Sequence, residues 1–191
     1  ATAWEVTKGN IVYDLLKSGT VTMSDGKPLF DAAHGNLMTS GDRITTAAMA
    51  AARKLMRSQK DMMGTPLNIA PAFLLVGAEY ENEALVLLKS TALPGDGNNS
   101  ATFNQWYSSG IVPIVEPRLD LSSGTSPWYL AANPAMAACI EVAYLNNNEG
   151  VELFEMPEFE TDGLCYKARG VMGCGLVDWR GMVKNPGKAA G

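Results

Sequence analysis

The sequence predicts an α+β protein, and three observations carry that reading. A turn-centred hairpin stands directly before one long amphipathic helix, a second amphipathic helix follows a short apolar strand, and β-prone runs dominate the later half of the 191 residues. In the hairpin, Asp25-Gly26 lies between the β-prone Val21-Thr22-Met23 and Pro28-Leu29-Phe30, so a tight reversal is expected where Gly26 takes a positive φ at little cost. Asp25, Gly26, Lys27, Pro28, Leu29 and Phe30 are therefore singled out as one candidate loop. Thr39, Ser40 or Asp42 then caps the long helix. Its apolar residues Ile44, Ala48, Ala51, Leu55 and Met62 recur at three, four or seven positions, which winds them into one buried stripe. Asp42 stands at the positive end of the dipole, while Lys54, Arg57 and Lys60 gather at the negative end. About 20 residues at ~1.5 Å each give a rod of roughly 30 Å.

The remaining elements follow in order. Residues 4–17 read as a short helix with Trp4, Ile11, Val12, Leu15 and Leu16 on its apolar side. Gly64-Thr65-Pro66 ends the long helix, and residues 72–76, apolar and bounded by Pro71 and Gly77, form a buried strand. Residues 79–89 carry Tyr80, Ala84, Leu87 and Leu88 at helical spacing, with acids early and Lys89 late. The stretch 94–100, PGDGNNS, has no apolar anchor to offset its backbone entropy and is expected to be a mobile loop. Residues 111–115, 128–131 and 139–145 are strands, the last with Ile140, Val142 and Tyr144 on one face. Residues 151–156 and 164–169 continue the sheet, separated by Thr161-Asp162-Gly163; a final strand, 176–183, surrounds Trp179, and Asn185-Pro186-Gly187-Lys188 is a frayed tail.

Composition narrows the function classes. The apolar fraction is enough to bury a core without metal or disulfide staples. Three cysteines with no CxxC pair suit a reducing compartment, and no apolar run approaches membrane-spanning length. The expectation is a soluble protein made in the cytoplasm. A net charge of −5 argues against a sequence-seeking DNA binder, and Arg53, Arg57 and Lys60 read as a solvated helix face ahead of a phosphate site.

Catalytic arrangements find little support. His34 is the single histidine, so every triad or histidine-rich metal scheme must use it. Asp31, three residues earlier, permits a local carboxylate contact, yet no GxSxG elbow occurs, and His34-Gly35-Asn36 reads as a packing turn at the base of the loop. Cys139 and Cys165 sit in β-prone runs as small buried hydrophobes, with the thiols inert. Gly170, Gly173 and Gly175 resemble a phosphate-cradling loop only superficially, since no helix follows; a bulge or close strand crossing suits them better. Glu149, Glu152, Glu155, Glu158 and Glu160 could supply oxygen ligands, but their spacing is not that of an EF-hand loop and a solvated sheet edge is the simpler reading. Trp106-Tyr107 and Trp128-Tyr129 lack interleaved Lys or Arg and are assigned to the core. No enzyme activity, cofactor or metal is expected.

Read in order, the phrases DGKPLFDAAHGNL (25–37), QKDMMGTPLNIAPAFLLV (59–76) and GLVDWRGMVKNPG (175–187), with EPRLD and SPWYLAANP between, resemble the major capsid proteins of Mu-like tailed bacteriophages and prophages. That resemblance implies the Hong Kong 97 type fold, with a long spine helix crossing a peripheral domain, an extended loop before it and a compact axial domain after it. It places the N-terminal helix, extended loop and spine helix in 1–76 as part of the peripheral domain, a mainly axial domain in 77–138, and peripheral strands with the C-terminal tail in 139–191. It implies a structural subunit of the virion, assembled in the bacterial host cytoplasm into hexamers and pentamers around packaged DNA. Portal and scaffold or protease proteins are the implied partners, with only non-specific proximity to DNA and no membrane. The family proteins carry an N-terminal arm; this chain opens Ala1-Thr2-Ala3 and reads as a C-terminal portion. Two other readings stay open: a small α+β enzyme using His34 with Asp31 or the acidic run, and an encapsulin-like compartment shell.

Overall fold

The computed structural model describes residues 2–93, 102–121, 125–158 and 162–188. The expected loop at 94–100 lies outside the described residues, as do Thr161 and Glu160. In chain order the elements are α1 (Thr2–Lys17), α2 (Thr46–Arg57), β1 (Pro71–Val76), α3 (Glu81–Lys89), β2 (Ala92–Leu93), β3 (Thr102–Phe103), β4 (Val112–Val115), β5 (Trp128–Ala132), β6 (Ile140–Tyr144), β7 (Glu152–Glu158), β8 (Gly163–Arg169), β9 (Met172–Leu176) and β10 (Met182–Asn185). The chain forms two compact units, one of residues 1–18 with 140–175, the other of 19–139 with 176–191. Residues 19–76 fall in one unit with 77–139. The reason is the sheet: β1 pairs with both β4 and β5 and cannot be separated from them.

The larger unit is built on a four-stranded sheet in the order β10-β5-β1-β4, with β1 and β4 parallel and the other pairs antiparallel. Because β1 and β5 are central, they need apolar side chains on both faces; PAFLLV and WYLAA supply them, and Leu74, Val76, Trp128, Tyr129 and Leu130 are fully buried. The core joins these strands to Met49, Ala52 and Met56 of α2 and to Ala84, Leu87 and Leu88 of α3. Trp106 and Trp128 are in this core as expected, whereas Tyr107 is half exposed.

The long helix is shorter than its sequence pattern suggests. It starts at Thr46 and is capped by Thr45, whose side-chain oxygen accepts from Ala48 N, and not by Thr39, Ser40 or Asp42. Its 12 residues span about 18 Å. The preceding backbone is drawn off by other partners: Asp42 N donates to Asn185 Oδ1, Ile44 N to Glu83 Oε2, and Asp42 O accepts from Trp128 Nε1. At the other end Asp61 Oδ1 accepts from Met63 N and Thr65 N, which folds a turn where helix was expected. Met62 is consequently 93% exposed, and Ala51 also faces solvent; the buried stripe is Ala48, Met49, Ala52 and Met56.

The C-terminal segment is not a frayed tail. Asn185 is fully buried, its Oδ1 accepts from Asp42 N and Gly187 N, and the Tyr80 hydroxyl donates to Lys188 O (2.6 Å) while accepting from Lys188 N (3.0 Å). Nor is 176–183 one strand, because residues 177–181 bend around Trp179 between β9 and β10.

In the smaller unit, α1 lies against the two-stranded β6–β9 sheet, where Ile140, Val142 and Tyr144 alternate inward as their spacing requires. Trp4 Nε1 donates to Glu149 O, and the Trp4 ring sits so close to Gly170 that a Cβ there would lie 2.7 Å from it. Gly170 thus serves a close approach, and β9 follows it as a strand, not an anion loop. The β7–β8 hairpin is a separate two-stranded sheet whose described side chains are all exposed. Cys165 in β8 is exposed as well, against the expectation of a buried thiol. No described helix is long and apolar enough to cross a membrane.

Candidate functional site

The loop singled out from the sequence is a one-bridge turn on the larger unit. Thr22 and Pro28 form the only bridge, Met23 N donates to Lys27 O (2.8 Å), Gly26 N donates to Met23 O (3.0 Å), and Gly26 has φ +77°. Asp25 Oδ1 accepts from Lys27 N, which closes the turn on itself. Asp25, Gly26 and Lys27 are exposed; Leu29 is only 2% exposed, and the Phe30 ring lies 5.3 Å from that of Tyr129. Lys184 Nζ stands over both rings, at 5.6 Å from Phe30 and 5.8 Å from Tyr129, and burial lowers its pKa. The tip is exposed to solvent, and the root is fixed in its own core.

His34 builds the root. It ends a short 3-10 turn (Ala32–His34) capped by Asp31, whose carboxylate accepts from Ala33 N (2.8 Å), and followed by Gly35 at φ +63°. Asp31 is therefore occupied with its own turn. The histidine's carboxylate partner is Asp25, with Nε2–H donating to Oδ2 at 2.7 Å, and this hydrogen bond holds the Asp25 carboxyl below its usual range. Nδ1 lies 3.3 Å from Leu29 O, the ring is stacked on Trp179, and His34 O accepts from Gln59 Nε2. Buried Asn36 completes the frame: Nδ2 donates to Leu29 O and Trp179 O, and Oδ1 accepts from Asp31 N. Nε2 and one ring face are thus engaged in holding the turn.

The other sequence candidates are dispersed. Cys139 is buried and its thiol is pushed up to about 12 by desolvation, Cys174 is half-buried near Ile11 O, and Cys165 is exposed. Of the acidic run, Glu152 accepts from Asn148, and among the described residues no three His, Cys, Asp or Glu side chains gather into a metal centre. Arg53 lies over the Trp106 ring at 5.6 Å and Arg57 donates to Asn68 Oδ1, so the basic stripe is partly occupied by local contacts.

Two arrangements escaped sequence reasoning. Arg43 binds Glu83, stands over the Tyr80 ring and lies 3.8 Å from Glu79, whose other oxygen accepts from Ser126. These partners are too far apart in sequence for a local pattern to join them. The second is the isolation of the β7–β8 hairpin, whose two strands were expected at 151–156 and 164–169 as part of a larger sheet and instead stand as a separate, exposed pair. Its signal was present, since Leu153, Phe154 and Met156 put apolar side chains at both parities of one strand.

A family model described as phage capsid protein matches residues 1–185. The fold is similar to that of the holo-SrpI encapsulin complex from Synechococcus elongatus PCC 7942, with a TM-score of 0.50 and 15% identity, over 94% of this chain and 62% of that one. The chain thus spans less than two thirds of the encapsulin chain it matches. No curated protein matches the sequence.

Proposed function

Since the chain belongs to the phage capsid protein family, we propose that it is a structural subunit of the icosahedral head of a Mu-like tailed bacteriophage or prophage and carries out no catalysis. The observation that carries this reading is the family match along 1–185. The surroundings of His34 agree with it, because a buried histidine bonded to Asp25 and stacked on Trp179 braces a turn. On this reading copies associate into hexamers and pentamers around packaged DNA, alongside portal and scaffold or protease proteins.

The two contact units suggest the layout. The 16-residue α1, the longest described helix, shares a unit with the strands of 140–175, and we assign that unit the peripheral role with α1 as its spine element, in place of the helix ending before Gly64 to which the sequence resemblance gave that role. The larger unit, which includes 77–138, takes the axial role. The exposed tip of Asp25, Gly26 and Lys27 faces a neighbouring copy, with Leu29 and Phe30 as its fixed root. The encapsulin likeness favours one second reading, a compartment shell around protein cargo. Electron microscopy of the protein purified from its native host tests both. Closed shells containing nucleic acid support the head, shells containing protein support the compartment, and a persistent monomer overturns both.

A further inference from the structure

Among the described residues, the β7–β8 hairpin has no buried side chain to account for its stability. Seven-residue strands pair in full register from Glu152 opposite Arg169 to Glu158 opposite Gly163, a ribbon about 24 Å long at ~3.4 Å per residue. Among the described residues no third strand joins either edge. Residues opposite one another share a face, so one face carries Phe154 and Met156 and the other Leu153, Leu164 and Tyr166. These are 47%, 65%, 75%, 59% and 69% exposed, respectively. A two-stranded ribbon in water is marginal by itself, and open edges flanked by apolar side chains are templates for another strand.

The charges say which strand. β7 carries Glu152 and Glu155 and no base, whereas β8 carries Lys167 and Arg169 and no acid. Setting β7 against β7 between copies would bring acidic edges together, and β8 against β8 would bring basic edges together; only β7 against β8 is complementary. Such a contact uses two different surfaces, so it is head-to-tail and propagates into a ring or an open row of copies instead of a two-fold pair.

We propose that the outer edge of β7 in one copy pairs with the outer edge of β8 in the next, making the hairpin a charge-keyed contact between copies of this chain. The proposal rests on the shell-subunit reading. It is tested on the full chain with two variants, E152K/E155K and K167E/R169E, each checked for an unchanged fold by circular dichroism. Sedimentation should show association of the native protein, at least a tenfold weakening in each variant alone, and recovery when the two are mixed. Recovery on mixing separates copies from a repair within one hairpin, because neither variant regains its own Glu152–Arg169 pair. Association unchanged in both variants would overturn the hairpin contact and leave the shell reading standing. Loss in both without recovery on mixing would overturn the head-to-tail pairing. A native protein that does not associate would overturn the contact, while electron microscopy of the protein from its host decides the shell reading.

Discussion

The imidazole of His34 lies flat against the indole of Trp179, with ring centroids 4.3 Å apart and planes 7° from parallel. The stack joins the turn at Asp25 to the bend that leads into β10, and Arg180 covers the Trp179 ring at 4.4 Å from its centroid. With Asn36 bridging Leu29 O and Trp179 O, the root of the turn is held from both ends of the unit's sequence.

Acid should loosen this root through Asp25. Its folded pKa is lowered, chiefly by the hydrogen bond from His34, so its contribution is complete above the ordinary carboxylate value of about 3.9 and is lost as pH falls through the depressed folded value. Asp25→Asn should therefore melt below the native protein at pH 7, with the gap closing below about pH 4. Melting curves from pH 3 to 7 measure this; a gap as wide at pH 3 as at pH 7 would exclude the linkage.

Tyr80 should report on the C-terminal segment. Its hydroxyl serves Lys188 as both donor and acceptor, and the residue is fully buried. Tyr80→Phe leaves two backbone groups without that partner and should cost about 1–2 kcal/mol. Urea unfolding gives the loss, and amide exchange at Gly187 and Lys188 should accelerate while the amides of β1 are unchanged. Equal exchange in both proteins would mean that the segment is held by other contacts.

Legibility from sequence followed the range of the interactions. The strand at 72–76, the helix at 79–89 and the alternation of Ile140, Val142 and Tyr144 were readable because burial imposes short periods. The start of α2 was not, since Asp42 and Ile44 spend their backbone amides on Asn185 and Glu83. The tail was misread for the same reason: an Asn-Pro-Gly-Lys string looks solvated until Tyr80 and Asp42 are seen to claim it. In the candidate site, the loop and the packing role of His34 were legible, but the choice of Asp25 over Asp31 depended on the turn geometry that engages Asp31 with Ala33.

Two glycines with the same φ of +77° should respond differently to alanine. A Cβ on Gly26 meets nothing within 4 Å, whereas one on Gly187 would lie 1.8 Å from Ser126 O. Gly26→Ala should lose only the left-handed penalty of about 1–2 kcal/mol. Gly187→Ala adds a backbone collision and should be clearly the worse of the two in chemical denaturation. Equal losses would show that the Ser126 contact relaxes without cost.

The three cysteines should separate by environment, and the separation also probes the hairpin. A thiol reacts as its thiolate, and with a pKa of about 12 Cys139 presents roughly one thiolate in 10⁴ at pH 8. It is also buried beside Gly181, where reagent has no approach. Cys165 stands exposed on β8 and Cys174 is half-buried on β9. A disulfide reagent at pH 8 should therefore label Cys165 fast, Cys174 slowly and Cys139 only after unfolding, as read by mass spectrometry of peptides. Rapid native labelling of Cys139 would contradict its burial. If β8 pairs with β7 of another copy, Cys165 should become protected as protein concentration rises, while the order of the other two stays fixed. K167E/R169E should make the labelling rate of Cys165 independent of protein concentration, whatever its rate in dilute solution. A rate at Cys165 independent of concentration in the associated protein would place the contact elsewhere on the chain.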